Sequence, residues 1–339
     1  MNSPLNEILR VEHLVKEFPI SRSHDVVHAV NDVSFSLHSS ETVGLVGESG
    51  SGKTTVGRCL LRLIQATSGR ILFKGRDTSR MTERQFRREV RPRIQMVFQD
   101  PYESLNPRFT IREILEENLI LQVKQPRSER AARVTELLEL VRLPRRVATA
   151  YPHELTGGEQ QRVSIGRAIS TGPDLVVLDE PTSALDISVR SEIIRLLREL
   201  QAETHVSLLF ISHDLTAVKE LSHRVMIMYL GEIVEVASTE SIFNEQFHPY
   251  SMALLASVLF PDPDAPHGTS NLAGEIPSPV HPPSGCHLHP RCPFAIDICT
   301  SQKARLEEIR AGRLSACHRA YEFIQAGPGH DIATRSASG

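Results

Sequence analysis

Residues 47–54 read Gly47-Glu48-Ser49-Gly50-Ser51-Gly52-Lys53-Thr54, which fits the pattern G-x-x-x-x-G-K-[ST] and decides the fold. The segment follows an apolar strand predicted at 42–46 and begins a helix predicted at 54–64, which is the context this pattern requires. Glycines let successive backbone N–H groups turn towards a phosphate, and the helix N-terminus adds the positive end of its dipole. A glycine turn without a role in phosphate binding would not require a strand before it and a helix after it. The segment therefore predicts a phosphate-binding loop.

The side chains of this loop predict binding of a nucleoside triphosphate with magnesium. Lys53 is placed to neutralise the β- and γ-phosphate oxygens, and the Thr54 hydroxyl is placed to ligate Mg²⁺. The nucleotide-binding residues predicted in this segment are Gly47, Glu48, Ser49, Gly50, Ser51, Gly52, Lys53, Thr54 and Thr55.

Two adjacent acids follow another apolar strand, predicted at 175–178. Asp179 and Glu180 stand at its carboxyl end, where ligands bind in an open parallel sheet. Asp179 is placed to hold the Mg²⁺ shell, and Glu180 to orient or deprotonate a water that attacks the γ-phosphate. A carboxylate that caps a helix ahead of Pro181 is the alternative reading. Beside a phosphate-binding loop, the pair predicts a nucleotide hydrolase.

Apolar patterning along the chain predicts an α/β fold. Strand signals at 175–178, 207–211 and 225–229 alternate with helical spacing between them, which indicates a parallel sheet flanked by helices. Loose alternation at 8–18 predicts a further strand with one buried face. The strand signal disappears over 110–170, where apolar residues follow helical spacing. That segment is predicted to be a helical insertion.

Composition excludes several classes of protein. The 339 residues carry 38 Lys or Arg and 41 Asp or Glu, so the net charge is −3 and there is no basic field for nucleic acid. The longest near-continuous apolar stretch, 252–260, is shorter than the roughly 18 residues that cross a bilayer. Residues 1–18 lack the apolar core of a secretory signal. We therefore expect a cytoplasmic protein that does not bind nucleic acid.

A second motif identifies a family. Residues Leu155-Thr156-Gly157-Gly158-Glu159-Gln160-Gln161-Arg162 resemble the signature motif of ATP-binding cassette (ABC) ATPases. Gln99 resembles the Q-loop glutamine of that family, Ser183-Ala184-Leu185-Asp186 resembles the D-loop, and His213 resembles the switch histidine. The resemblance spans residues 8 to about 236. It implies a P-loop NTPase of the ABC cassette type, with a RecA-like core, an antiparallel β edge and a helical subdomain.

The resemblance also implies roles for individual residues. The residues assigned to catalysis are Glu180, His213 and Lys53. The implied Mg²⁺ ligands are Thr54, Gln99 and Asp179. In this family the signature helix of one subunit closes over ATP held by the P-loop of another, so hydrolysis requires a dimer. The residues expected to contact ATP across that dimer are Thr156, Gly157, Gly158, Gln160 and Asp186.

Three positions in this pattern need comment. Phe18 occupies the place of the aromatic residue that stacks on adenine, although an apolar strand end in the core is the other reading. His213 is also compatible with a helix cap. Thr156 stands where the family usually has Ser; it keeps the hydroxyl and adds a methyl group, which bears on how efficiently the dimer closes.

The C-terminal part resembles one branch of the family. His248-Pro249-Tyr250, Gly274-Glu275-Ile276-Pro277-Ser278-Pro279 and the segment from Cys286 to Cys292 are similar to the tail of ATPases from oligopeptide, dipeptide and nickel importers. Gln99-Asp100-Pro101-Tyr102 with Ser104-Leu105-Asn106-Pro107 is similar to the second of the two paired ATPase subunits of these importers.

This second resemblance implies an ATP-hydrolysing subunit that energises import of peptides or similar small solutes. The subunit is expected at the cytoplasmic face of the plasma membrane, as a peripheral protein. Its implied partners are a second ABC ATPase subunit, in a homo- or heterodimer, two transmembrane permease subunits and an extracytoplasmic solute-binding protein.

The sequence divides into three parts. An ABC ATPase domain is predicted at 1–245, with its helical subdomain at about 108–171. A C-terminal domain of the oligopeptide-importer type is predicted at 246–326, and the small, polar residues 327–339 are predicted to be a disordered tail. Prolines concentrated between 261 and 283 predict an extended linker.

Four of the five cysteines lie in this C-terminal domain, at Cys286, Cys292, Cys299 and Cys317. Four thiolates near one point fit an iron–sulfur cluster, and the family resemblance implies a [4Fe–4S] cluster in this tail. A zinc site, with nearby histidines as further ligands, and unmetallated thiols are the alternatives, although the C-x-x-C pair usual for zinc is missing. The remaining Cys59 lies on the apolar helix after the phosphate-binding loop and is predicted to be a core residue.

Two other functional classes compete with transport. A soluble ABC ATPase that acts on DNA or ribosomes is expected to carry a long coiled coil or a second cassette, and the sequence has neither. A regulatory module that binds ATP without hydrolysing it is expected to lack the water-positioning acid, whereas Glu180 is present. Both observations favour a transport ATPase.

Overall fold

The computed structural model describes residues 6–21, 25–256 and 272–326. The strands are β1 Glu7–Pro19, β2 Val26–His38, β3 Thr42–Val46, β4 Ser68–Phe73, β5 Arg76–Asp77, β6 Ile94–Val97, β7 Leu175–Asp179, β8 Ser207–Ser212, β9 Arg224–Tyr229, β10 Glu232–Ser238, β11 Glu307–Arg310 and β12 Arg313–Ser315. The α-helices are α1 Lys53–Leu60, α2 Glu83–Glu89, α3 Pro101–Ser104, α4 Ile111–Asn118, α5 Arg127–Leu140, α6 Gly157–Ile169, α7 Ile187–Thr204, α8 Leu215–Leu221, α9 Thr239–Asn244, α10 Pro249–Ala256, α11 Asp297–Ser301 and α12 Ala320–Ala326. Short 3-10 segments lie at Thr78–Arg80, Arg145–Thr149 and Pro152–Glu154, and a π-helical turn lies at Leu119–Val123.

The larger sheet formed by the described residues has eight strands, in the order β11–β12–β10–β9–β3–β8–β7–β6. The strands from β9 to β6 run parallel, whereas β10, β12 and β11 are antiparallel to their neighbours. The central strands β3, β7 and β8 are buried along their whole length, as expected of continuous apolar strands that are covered on both faces. The strands predicted from the apolar runs therefore form the parallel sheet that was expected.

A smaller antiparallel sheet, in the order β2–β1–β4–β5, packs beside the larger one. β1 pairs with both β2 and β4, and register shifts interrupt both pairings. Leu9 and Leu14 of β1 are buried in one cluster with Val43 of β3. Cys59 of α1 belongs to the same cluster and is 1% exposed, as predicted for a core residue. The predicted antiparallel β edge is thus joined to the core.

Residues 101–174, all of which the structure describes, contain helices and no strand. α4 begins at a capping box formed by Thr110 and Glu113, which fixes its N-terminus. Leu138 of α5 and Ile165 of α6 belong to one buried cluster with Leu178 of β7. The helical layer is therefore packed on the parallel sheet, and this packing places the start of α6.

The C-terminal segment adds strands to the core sheet. β12 pairs with β10 at Glu235 and Ser315, so the β11–β12 hairpin continues the sheet. The buried carboxylate of Glu235 accepts hydrogen bonds from the N–H groups of Phe247 at 2.9 Å and His248 at 3.1 Å, and it lies 3.4 Å from Arg313. Burial raises the pKa of Glu235 to about 7 despite these partners. One buried acid thus connects β10, the segment before α10 and the C-terminal hairpin.

Some predicted features lie outside the described residues, namely the tail at 327–339 and the linker residues 261–271. Within the part of the chain that the structure describes, none of the helices combines the length and the apolar character needed to cross a membrane.

Candidate active site

The phosphate-binding loop connects β3 to α1 and depends on Gly52. The backbone of Gly52 lies in the left-handed region at φ 102°, and a Cβ atom there would be 2.1 Å from the carbonyl oxygen of Ala29. Only glycine fits this position without displacing β2. The carbonyl of Ser51 also accepts a hydrogen bond from the N–H of Gly231 at 3.0 Å. Strand β2 and the turn between β9 and β10 therefore fix the shape of the loop.

Lys53 is buried at the first residue of α1, and its ammonium group is folded back onto the loop. Nζ donates hydrogen bonds to the carbonyls of Gly47 at 2.8 Å and Glu48 at 2.9 Å, and to Oγ of Ser51 at 3.2 Å. Burial lowers the pKa of Lys53, and the carboxylate of Glu180 is the largest opposing influence. The ammonium is held by neutral oxygens, which phosphate oxygens can replace.

Thr54 and Asp179 meet at the carboxyl end of β7. Oγ1 of Thr54 donates a hydrogen bond of 2.8 Å to Oδ1 of Asp179. Burial raises the pKa of the Asp179 carboxyl, and the hydrogen bond from Thr54 opposes that shift. A hydroxyl and a carboxylate are the oxygen ligands that Mg²⁺ prefers. The donor set therefore fits a magnesium ion.

Glu180 and His213 lie together beyond the ends of β7 and β8. Nδ1 of His213 is 3.1 Å from Oε2 of Glu180. The N–H of Glu180 donates to the carbonyl of Ile211 at 2.9 Å, and the Glu180 backbone takes the left-handed conformation at φ 47°. This conformation is uncommon for a residue other than glycine, and such residues cluster at functional sites. The local backbone ends the strand and brings the carboxylate to His213.

Lys53, Thr54, Glu180 and His213 line one cavity of about 500 Å³. The residues that line it are Val27, Ala29, Ser49, Gly50, Gly52, Lys53, Thr54, Thr55, Gln99, Glu180, His213 and Pro279. Asp179 lines a second cavity of about 690 Å³, to which Gln99 also contributes. The structure thus brings together the residues predicted to bind phosphate, to hold Mg²⁺ and to activate water.

Three predicted nucleotide-binding residues of the phosphate-binding loop, Gly47, Glu48 and Ser51, do not line this cavity. Their oxygens instead accept hydrogen bonds from Lys53. Their contribution in this structure is to hold the lysine.

Phe18 lies near the end of β1, opposite Val27 of β2. Its side chain is 36% exposed, and Nζ of Lys16 lies 4.6 Å from the ring centroid. Val27 lines the cavity and Phe18 does not. The ring is therefore a surface aromatic group near the cavity, and its exposure argues against a core residue.

The signature segment lies apart from this cavity. Thr156 caps α6, and both its N–H and its hydroxyl donate to the carboxylate of Glu159, at 2.9 and 3.0 Å. Thr156 and Gly157 are exposed, and Gly158 is half-buried. None of these three lines the cavity around Lys53.

The other two predicted cross-dimer residues differ in their surroundings. Gln160 is buried, and its amide donates to the carbonyls of Pro152 at 2.9 Å and Leu155 at 3.2 Å. Asp186 is exposed at the start of α7, and its side chain makes no capping hydrogen bond. The Asp186 side chain is therefore accessible to another molecule, whereas the Gln160 amide already donates hydrogen bonds within its own segment.

The four C-terminal cysteines are free thiols. Burial raises the pKa of Cys292 to about 11, and burial together with the other three cysteines raises the pKa of Cys317. The influence of the other three cysteines on Cys317 indicates that the four thiols lie near one another. Yet, over 6–21, 25–256 and 272–326, no group of three or more His, Cys, Asp or Glu side chains is arranged so that it could hold a metal ion. In this structure the thiols do not form a ligand set for the predicted iron–sulfur cluster.

The C-terminal segment contacts the site in three places that the sequence did not predict. Pro279 lines the cavity, and its carbonyl accepts a hydrogen bond from the N–H of His28 at 3.0 Å. Tyr250 and Arg291 both contact Glu48 of the phosphate-binding loop. In the sequence, the motifs that contain these residues indicated only a branch of the family. Tyr250 stands 202 positions after Glu48, and no local pattern signals so distant a contact.

Two family models match the chain. The model described as ABC transporter matches residues 30–183, and the model described as the oligopeptide/dipeptide transporter C-terminal region matches residues 234–299. The first match contains the phosphate-binding loop, the signature segment and Glu180. The second contains Tyr250 and Arg291.

Curated proteins from several bacteria are similar over most of the chain. A putative peptide import ATP-binding protein of Brucella ovis is 46% identical over 312 residues, which cover 92% of this chain and 98% of that protein. The oligopeptide transport ATP-binding protein AppF of Bacillus subtilis is 45% identical over 318 residues, which cover 92% of this chain and 97% of that protein.

Solved structures share the fold. A dimeric ATP-binding cassette in a post-hydrolysis state, bound to ADP and Pi, matches with a TM-score of 0.63 and 27% identity, over 69% of this chain and 100% of that chain. CbiO1 of Clostridium perfringens, part of an ABC transporter complex, matches with a TM-score of 0.62 and 26% identity, over 70% of this chain and 91% of that chain. These matches confirm the predicted cassette fold.

Proposed function

The chain belongs to the ATP-binding subunits of the ABC transporter family, and we propose that it hydrolyses ATP to energise the import of peptides or similar small solutes through a membrane permease. The observation that carries the proposal is the convergence of Lys53, Glu180 and His213 on one cavity, beside the Thr54–Asp179 pair. The names of the Brucella ovis and Bacillus subtilis relatives support a peptide as the solute. A non-peptide solute such as nickel is the alternative.

ATP binding begins with an exchange of partners at Lys53. Its Nζ leaves the neutral oxygens of Gly47, Glu48 and Ser51 for the β- and γ-phosphate oxygens. The backbone N–H groups at the start of α1 add further donors to the phosphates. Phe18 lies on the side of the cavity where Val27 and Pro279 form the wall, and it supports the adenine ring by stacking.

Magnesium would be held by Thr54, Asp179 and Gln99, whose side chains supply oxygen ligands. When bound, Mg²⁺ neutralises charge on the β- and γ-phosphates.

Hydrolysis depends on Glu180 and His213. The Glu180 carboxylate orients a water and accepts its proton, the water oxygen bonds to the γ-phosphorus, and the bond from that phosphorus to the ADP oxygen breaks. A positioned general base of this kind contributes about 10²- to 10⁴-fold in rate. His213, 3.1 Å from Glu180, contacts the γ-phosphate and holds the carboxylate in place.

A complete site requires a second ABC ATPase subunit, identical or different. The exposed Thr156 and Gly157, together with Gly158 and Asp186, contribute to the ATP site of that partner. Gln160, predicted to contact that ATP as well, instead supports the segment through its hydrogen bonds to Pro152 and Leu155. The pair acts with two transmembrane permease subunits and an extracytoplasmic solute-binding protein, at the cytoplasmic face of the membrane. Gln99 and the helical layer transmit the nucleotide state to the permease.

The proposal is tested by uptake in cells that lack this chain. Wild-type chain should restore uptake of labelled di- and oligopeptides, and Lys53→Ala should not. Lys74→Ala is the control, because Lys74 is a half-exposed lysine that pairs with Asp174 and lines a different cavity. Restored uptake by Lys53→Ala would contradict the mechanism. Restored uptake of nickel but not of peptides would contradict the peptide as solute and leave the ATPase assignment intact.

The [4Fe–4S] cluster stays a prediction from the family resemblance, with zinc and unmetallated thiols as its alternatives. It is tested by purifying the chain without oxygen and measuring iron, sulfide and zinc per chain, for wild type and Cys292→Ser. Near-stoichiometric iron and sulfide that are lost in the variant would support the cluster. Zinc alone, or no metal, would exclude it.

A further inference from the structure

Glu48 of the phosphate-binding loop is held from three sides. Its N–H donates a hydrogen bond to Oη of Tyr250 at 2.9 Å. Its carbonyl accepts a hydrogen bond from Nζ of Lys53 at 2.9 Å. Its carboxylate lies 3.4 Å from Nη1 of Arg291. Two of the three partners come from the C-terminal part of the chain, and the third is the lysine that meets the phosphates.

Tyr250 has little freedom to move. It lies on α10, is fully buried, and packs against Tyr229 of β9 with ring centroids 4.6 Å apart. Its N–H donates to Nδ1 of His248, and the N–H of His248 is bound in turn by the buried carboxylate of Glu235. The hydroxyl of Tyr250 is therefore a fixed acceptor for the loop.

Arg291 reaches the loop from the segment between Cys286 and Cys292. Its backbone N–H donates to the carbonyl of Leu288 at 2.9 Å, which closes a turn. Its side chain is 10% exposed, and Nη1 also lies 3.4 Å from Oη of Tyr229. Arg291 thus joins the Glu48 carboxylate to the same tyrosine against which Tyr250 packs.

From these contacts we propose that Tyr250 and Arg291 are positioning residues for nucleotide binding, which act through Glu48 on Lys53. The contact of Arg291 with the Glu48 carboxylate holds the residue by its side chain. A peptide group is planar, so the hydrogen bond from the Glu48 N–H to Tyr250 also fixes the carbonyl of Gly47 in the same peptide group, which accepts a hydrogen bond from Nζ of Lys53 at 2.8 Å. That carbonyl sets the resting position of Nζ of Lys53 before phosphate arrives. A loop already held in its binding shape loses less conformational freedom when ATP binds. The inference rests on the proposed function, because it assumes that Lys53 binds ATP.

The test compares Tyr250→Phe and Arg291→Gln with wild type in the full-length chain. Phe keeps the ring packing and removes only the hydroxyl. Arg319→Gln is the matched control: its side chain is also 10% exposed and stands near a cysteine, but it pairs with Glu322 and not with the loop. Calorimetric titration with a non-hydrolysable ATP analogue and Mg²⁺ gives both the Kd and the number of binding-competent sites.

Loss of one hydrogen bond to the loop is expected to raise the Kd about five- to tenfold in Tyr250→Phe and in Arg291→Gln. The number of sites per chain stays at the wild-type value, and Arg319→Gln binds like wild type. A merely structural role would lower the number of sites and leave the Kd unchanged. The proposal would be overturned by a lower number of sites at an unchanged Kd, by an unchanged Kd in both variants, or by an equal rise of the Kd in Arg319→Gln. If wild type itself fails to bind the analogue, the proposed function fails instead.

Discussion

Nδ1 of His213 lies 3.1 Å from Oε2 of Glu180, and the two residues follow adjacent parallel strands. β7 and β8 pair so that Asp179 stands beside Ile211, one residue before Glu180 and two before His213. The pairing of β7 with β8, rather than a flexible loop, therefore sets the distance between the carboxylate and the imidazole.

Replacing His213 by Ala is expected to lower the rate of ATP hydrolysis about 100-fold, the loss typical when one donor to a developing charge is removed. Because 60% of the His213 side chain is exposed and the group contacts no residue of the phosphate-binding loop, the Kd for ATP should stay within about threefold. Single-turnover hydrolysis and equilibrium binding measure the two quantities. His153→Ala, which removes an exposed histidine that stacks on Tyr151, should change neither. Wild-type hydrolysis by His213→Ala would refute the assignment.

Gly52→Ala should both abolish ATP binding and lower the free energy of unfolding by about 2 kcal/mol or more, because the added Cβ meets the Ala29 carbonyl in a left-handed backbone. Gly172→Ala is the control. Gly172 also has a positive φ, of 62°, but its Cβ would meet no atom within 4 Å, so the cost should be about 1 kcal/mol. Urea unfolding gives the free energy of unfolding of both variants. Equal losses of this free energy would show that the contact with the Ala29 carbonyl is not the cause.

The buried acid Glu235 should make stability depend on pH. Its pKa in the folded chain is raised by burial to about 7 from a usual value of 4.5, so the folded state binds the proton more tightly than the unfolded state. The stability that this carboxyl contributes is complete below pH 4.5 and is lost as the pH rises through 7. Relative to Glu235→Gln, wild type should therefore lose up to about 3 kcal/mol of unfolding free energy across that interval.

The comparison with Glu235→Gln is needed because His248 has the opposite dependence. Burial lowers the pKa of His248 to about 3, so its contribution is lost as the pH falls below 6.5. That contribution is common to both proteins and cancels in their difference. Denaturant unfolding at several pH values gives the difference directly, and parallel curves would show that Glu235 does not titrate in this range.

The sequence predicted those parts of the fold and site that are local in the chain. The apolar runs at β3, β7 and β8 give buried strands, and the glycine pattern at 47–54 gives the loop between β3 and α1. The residues at the carboxyl ends of β3, β7 and β8 could be grouped because parallel strands bring those ends to one edge.

Contacts between distant segments could not be predicted. β12 has three residues, too few to show a pattern, and its pairing with β10 depends on tertiary packing. The Tyr250 hydroxyl, the Arg291 guanidinium and Pro279 reach the site because that packing brings the C-terminal segment against the loop. The burial of the Gln160 amide could not be predicted either, because the signature motif alone does not show which of its side chains form hydrogen bonds within their own segment.

The role of Glu180 is tested most directly by ATP hydrolysis in Glu180→Gln, measured with ATP binding on the same preparation. Glutamine keeps the size of the side chain and removes the base, so the rate of hydrolysis should fall by at least about 100-fold while the Kd for ATP stays within about threefold of wild type. Glu136→Gln, an exposed glutamate in the helical layer, should hydrolyse ATP like wild type. Turnover by Glu180→Gln at the wild-type rate would show that this carboxylate does not activate the attacking water.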